Sequence, residues 1–183
     1  MNFAGWILKL AGWTVDITSP QPDKCLICVA PHTSNWDFIL GKLAYASVNR
    51  QGGFMMKESW FFWPLGPIFR AMGGIPVQRK GKNKKSLVDT IVERFKTEPK
   101  LAIAITPEGT RSRTCKWHTG FLQIAIQAGV PCLLGVIDAE HKTVIVRDTF
   151  TPTGDIEADM RFIKSYYRPY KGIKPQNFCT DDE

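Results

Sequence analysis

Several things are missing from this sequence. It has no Gly-x-Ser-x-Gly elbow, which sets aside a serine hydrolase of the α/β type. Histidine is scarce, three in 183 residues, and none pairs with the Cys25–Cys28 spacing to suggest a zinc site. That C-x-x-C lies inside the apolar run CLICVA and reads as a buried strand. The five cysteines (Cys25, Cys28, Cys115, Cys132, Cys179) are odd in number and scattered through apolar runs, so they outline no disulfide framework. They are expected to be reduced thiols in a cytosol-facing protein. Acidic residues are the minority, 17 against 24 Lys+Arg, and the formal charge of +7 predicts an anionic partner. No repeat, low-complexity block or linker divides the chain, so residues 1–183 are expected to form one domain.

Membrane-spanning runs are missing as well. Residues 119–137 carry no charge, but Gln123, Gln127 and the break Ala128-Gly129-Val130-Pro131 predict a helix, a turn and a strand. The opening residues show neither a basic leader nor a small-residue cleavage site. Instead Phe3, Trp6, Ile7, Leu10 and Trp13 recur at helical spacing within residues 1–14. This is a short amphipathic helix, suited to lying at a lipid surface or docking on the core.

What is present is a globular composition, 44% hydrophobic and 22% charged. Apolar β-rich runs occur at 14–18, 25–30, 53–56, 75–77, 101–105, 132–137 and 143–146, with helical patterns at 35–48, 86–96, 120–127 and 156–167. Short continuous apolar strands alternating with helices predict an α/β domain. Its central sheet is expected to be mixed but largely parallel, with helices on both sides.

Sites in such sheets collect in loops at the carboxyl ends of strands, and three loops here carry unusual chemistry. After 25–30 comes Pro31-His32-Thr33-Ser34-Asn35-Trp36-Asp37, with Ser34 or Asn35 as helix N-cap and Asp37 in the first turn. A bend between His32 and Asp37 would let the carboxylate hold one ring nitrogen and leave the other to take a proton. An ordinary loop histidine beside a first-turn carboxylate is the plain alternative. After 101–105, Pro107-Glu108-Gly109-Thr110-Arg111-Ser112-Arg113 combines a tight turn, hydroxyls and two guanidinium forks suited to phosphate. Glu108 there could fix an arginine or a substrate hydroxyl. After 75–77, Arg79 opens a basic segment containing Lys80, Lys82, Lys84 and Lys85.

In order and spacing, these loops resemble the glycerolipid (lysophospholipid) acyltransferase family, over residues 25–140. His32–Asp37 is similar to the His-x-x-x-x-Asp block, and 74–79 to the block ending in a phosphate-binding arginine. Residues 107–112, Pro-Glu-Gly-Thr-Arg-Ser, are similar to the third block, and 130–136 to the last. Pro31 and Thr106 stand where the family has Asn and Phe, respectively.

The resemblance implies an O-acyltransferase that moves a fatty acyl group from acyl-CoA or acyl-carrier protein to a lyso-phospholipid such as 1-acylglycerol 3-phosphate. It implies His32 as general base oriented by Asp37, and Arg79 and Arg111 as phosphate clamps, with Lys57 and Lys116 as weaker ones. Glu108, Gly109 and Thr110 would shape the acceptor pocket. Neither a metal nor a cofactor is required. The run 60–69 would line an acyl slot, dip into a bilayer or pack in the core. The expected location is peripheral, on the anionic cytoplasmic face of a membrane, with no nucleic-acid partner. Two alternatives remain: an amino-acid lyso-lipid as acceptor, or a non-enzymatic basic module binding anionic lipid or nucleic acid.

Overall fold

The computed structural model describes residues 2–77 and 86–181. Its elements run α1 (Phe3–Leu10), β1 (Thr14–Ile17), β2 (Lys24–Ala30), α2 (Trp36–Ser47), β3 (Gly53–Lys57), α3 (Leu65–Ala71) and β4 (Gly74–Val77). They continue with α4 (Leu87–Thr97), β5 (Leu101–Ile105), α5 (Gly120–Ala128), β6 (Cys132–Asp138), β7 (Thr143–Phe150) and α6 (Ile156–Tyr167). The strands form one seven-stranded sheet in the order β1-β7-β6-β2-β5-β3-β4. The five strands from β6 to β4 are parallel; β7 is antiparallel to β6, and β1 is parallel to β7.

The continuous apolar character of CLICVA has a direct cause. Along β2, Leu26, Cys28 and Ala30 face a core built with Ile91, Val92 and Phe95 of α4, Phe121 and Leu122 of α5, and Ile163 and Tyr167 of α6. Cys25 and Ile27 point the other way, toward Tyr45 of α2. Leu8 of α1 and Leu40 and Ala44 of α2 extend the packing on that second side. With both faces covered, alternate residues have no solvent side to mark. Every residue of β6 is buried for the same reason.

Helix starts follow local chemistry. Ser86 and Asp89 form a reciprocal capping box on α4, and the Asp155 carboxylate accepts from the Ala158 amide to begin α6. Gly129, at φ 64°, ends α5 before β6. The expected helix–turn–strand across 119–137 is therefore present, and no helix among the described residues is long and apolar enough to cross a membrane.

Two expectations need correction. Cys115 and Cys179 are joined in a disulfide, whereas Cys25, Cys28 and Cys132 are buried free thiols. The pair lies 64 residues apart in sequence, with no spacing signal to announce it. α3, absent from the expected elements, overlaps the aromatic run 60–69, where Pro64 and Pro67 hid its pattern. Pro67 falls in the helix's first turn, where its missing N–H costs nothing.

Candidate active site

β2 and β5 are adjacent and parallel, with Cys28 in register with Ile105. The loops that follow them therefore leave the same edge of the sheet side by side. This brings together residues 76 positions apart: the His32 backbone N–H donates to Glu108 Oε1 at 2.6 Å. The buried Glu108 carboxyl thus holds the histidine loop through Oε1.

The chain bends between His32 and α2 as expected. Asp37 Oδ2 accepts from the amides of Thr33 and Ser34, each at 2.7 Å. Asn35 occupies the N-cap position without a side-chain bond, while Ser34 Oγ accepts from the Trp36 amide at 3.3 Å. Asp37 thus reaches back from the first turn to amides of the loop that precede the N-cap. The same Oδ2 lies 3.2 Å from His32 Nδ1, with the two side chains 11% and 1% exposed. That is ion-pair distance, off the line of a formed hydrogen bond, since Nδ1 has no hydrogen-bond partner.

Among the described residues, five buried side-chain polar atoms lack a hydrogen bond, and three are here: His32 Nδ1, Asp37 Oδ1 and Glu108 Oε2. Buried polar atoms are normally satisfied, so such a concentration singles out this place as the candidate site. Burial pushes the Glu108 carboxyl up to about 8; the His32 amide pulls it partly back and the Asp37 charge adds to the rise. Glu108 is therefore protonated at neutral pH.

This has a consequence for stability. An unfolded glutamate titrates near 4.5, so between that value and about 8 the folded chain keeps a proton that the unfolded chain releases. The contribution is complete below pH 4.5 and is lost as pH rises through 8. Glu108→Gln keeps an oxygen for the His32 amide and removes the titration. In denaturant unfolding between pH 5 and 9, wild type should lose up to about 1.4 kcal/mol per pH unit from this source and the variant none. Equal pH slopes would contradict the assignment.

The turn after Glu108 is held tightly. Gly109 has φ 65°, and a Cβ there would lie 2.5 Å from the ring of His118, whose own amide donates to the Pro107 carbonyl at 2.7 Å. Only glycine fits. Thr110 Oγ1 accepts from the Ser112 amide, and Arg111 is exposed. Lys116 is exposed on the same loop, and Lys57 is exposed at the carboxyl end of β3. Arg79, and the basic segment with it, lies outside the described residues.

The family model for acyltransferases matches residues 14–136, which contain all of these loops. The chain belongs to the acyltransferase family. Over 147 residues it is 28% identical to the 1-acyl-sn-glycerol-3-phosphate acyltransferase of Haemophilus influenzae, covering 76% of this chain and 60% of that protein. It thus spans less than two thirds of that relative's length. The crystal structure of the 1-acyl-sn-glycerophosphate (LPA) acyltransferase PlsC from Thermotoga maritima superposes with a TM-score of 0.61 at 19% identity, over 91% of this chain and 76% of that one. This likeness is one of fold: the acyltransferase sheet with helices on both sides.

Three parts of this candidate site were not legible in the sequence. Thr33 is buried and its hydroxyl accepts from the Lys174 amide at 3.1 Å. The His118 ring occupies the space that a Cβ on Gly109 would need. Cys179 is cross-linked to the loop carrying Arg111. No residue pattern signals them, because each depends on a segment distant in sequence.

Proposed function

We propose that this protein is an O-acyltransferase that moves a fatty acyl group from an acyl thioester, acyl-CoA or acyl-carrier protein, to a hydroxyl of 1-acylglycerol 3-phosphate. The observation that carries this reading is the 3.2 Å approach of His32 Nδ1 to the buried Asp37 carboxylate, beside the turn of Glu108 to Arg111. With Nδ1 protonated toward Asp37, Nε2 holds the lone pair. Nε2 takes the acceptor's hydroxyl proton as that oxygen attacks the thioester carbonyl. The C–S bond then breaks, and the thiolate leaves with the proton from the imidazolium. No acyl-enzyme is needed. The neutral Glu108 carboxyl fixes the histidine loop without adding a second negative charge beside Asp37. Arg111 and Arg79 serve the acceptor's phosphate as forked donors, with Lys57 and Lys116 as weaker ones. Gly109 and Thr110 shape the turn that seats the acceptor.

A peripheral position at the cytoplasmic face of an anionic membrane accords with exposed apolar side chains. Phe3, Trp6 and Leu10 on α1, Trp36 at the start of α2, and Trp60 and Trp63 before α3 all face outward. Aromatic rings at such positions seat well at headgroup depth, and the basic excess favours an acidic leaflet. Neither a cofactor nor a metal enters the scheme.

The test mixes the purified protein with long-chain acyl-CoA and a panel of lyso-lipids and follows thiol release. Release should require a lyso-lipid and be fastest with 1-acylglycerol 3-phosphate. Release without any acceptor would make the protein a thioesterase. A preference for an amino-acid lyso-lipid would move the assignment to that acceptor.

A further inference from the structure

Beyond the end of the family match, the chain crosses back over the site. Tyr167 of α6 donates its hydroxyl to the Cys28 carbonyl at 2.6 Å, fixing the helix to β2 close to the strand's end. The Lys171 carbonyl then accepts from the Ala139 amide at 2.8 Å. Gly172 lies so close to Thr33 that a Cβ would meet its Oγ1 at 2.6 Å, and the Lys174 amide donates to that same hydroxyl. The segment next reaches the second loop: Asn177 Nδ2 donates to the Arg111 carbonyl at 2.8 Å. Trp117 Nε1 donates to the Cys179 carbonyl at 2.9 Å, and Cys179 is bonded to Cys115. Residues 171–180 therefore bridge the loop of His32 and the loop of Arg111.

The two ends of this bridge differ in what else holds them. Around His32, Asp37 and Glu108 supply three further bonds. Among the described residues, every hydrogen bond that leaves 110–117 lands on Asn177 or Cys179. Between the anchored ends of this loop, Arg111 is thus tied to the rest of the fold through the bridge, whereas His32 has other ties.

We propose that residues 171–180 are a strap that positions Arg111 for the anionic head of the acceptor, and that the Cys115–Cys179 disulfide locks it in place. The assignment rests on the acyltransferase reading above and deepens it. A dithiol opens the lock: two electrons and two protons pass to the disulfide, giving two thiols, while the dithiol closes to its own disulfide. Opening weakens acceptor binding and spares the step at His32. Asn177 is a positioning residue in the same sense.

Three measurements decide it. Denatured, non-reduced protein treated with an alkylating reagent should take up three labels, on Cys25, Cys28 and Cys132; five labels would overturn the lock. Hydrogen exchange should speed up in residues 109–117 after dithiothreitol, or in Cys115→Ser/Cys179→Ser, and stay unchanged in α2. Unchanged exchange at 109–117 would overturn the strap. In the acyl-transfer assay, reduction, the double variant and Asn177→Ala should each raise the acceptor KM about tenfold with kcat within about twofold, as expected when only binding is lost. Asn177→Gln, which retains the amide donor, should recover part of the affinity, and the double variant should not respond to dithiothreitol. A fall in kcat at constant KM would overturn the proposal. Absence of transfer to every lyso-lipid would remove the functional reading, and labelling and exchange would still decide the strap.

Discussion

His32→Ala should lower acyl transfer by about 10²- to 10⁴-fold, the range that a positioned general base contributes. The effect should fall on kcat, with acceptor KM nearly unchanged. Stability is expected to move by less than about 1 kcal/mol, as is usual where no packing or buried bond is lost. The bond that ties this loop to Glu108 comes from the backbone amide of residue 32, and alanine keeps it. The imidazole itself forms no hydrogen bond at Nδ1 that the fold would miss. Single-turnover thiol release beside a denaturation curve separates the two readouts. A variant retaining a tenth or more of wild-type turnover would remove His32 from the chemistry.

Asp37 should behave differently, because its carboxylate has two tasks. In Asp37→Ala the amides of Thr33 and Ser34 lose their acceptor at a site that is 2% exposed. Each orphaned buried donor costs about 1–3 kcal/mol, so a loss of about 2–6 kcal/mol is expected, together with collapse of activity. Asp37→Asn keeps an oxygen for those amides and should recover most of the stability. It removes the negative charge beside His32 Nδ1, so its turnover should stay reduced by about a hundredfold or more. Urea unfolding and steady-state kinetics on both variants test the separation. Full activity in Asp37→Asn would leave the carboxylate with a structural task alone.

The fold was legible because its signals are local. The runs at 101–105 and 156–167 coincide with β5 and α6 to the residue, since Leu101–Ile105 is a continuous apolar run and α6 presents a regular apolar face. The His32–Asp37 contact was legible for the same reason, as five positions and a helix cap define it. α3 was not, because aromatic residues and two prolines mask its periodicity. The Glu108 bond to His32 needs β2 beside β5, and strand order is not encoded in any short window. The Cys115–Cys179 link fails on the same ground, being set by where the chain returns after α6.

The sheet order has one more consequence. β1 and β7 are neighbours although Thr14 and Thr143 stand 129 positions apart, and β6 must enter between β7 and β2 to connect them to the rest. Contacts of such long range form late, because closing a long loop precedes any reward from pairing. During synthesis His32 emerges early, yet the sheet that carries its loop is complete only once β6 and β7 have left the ribosome.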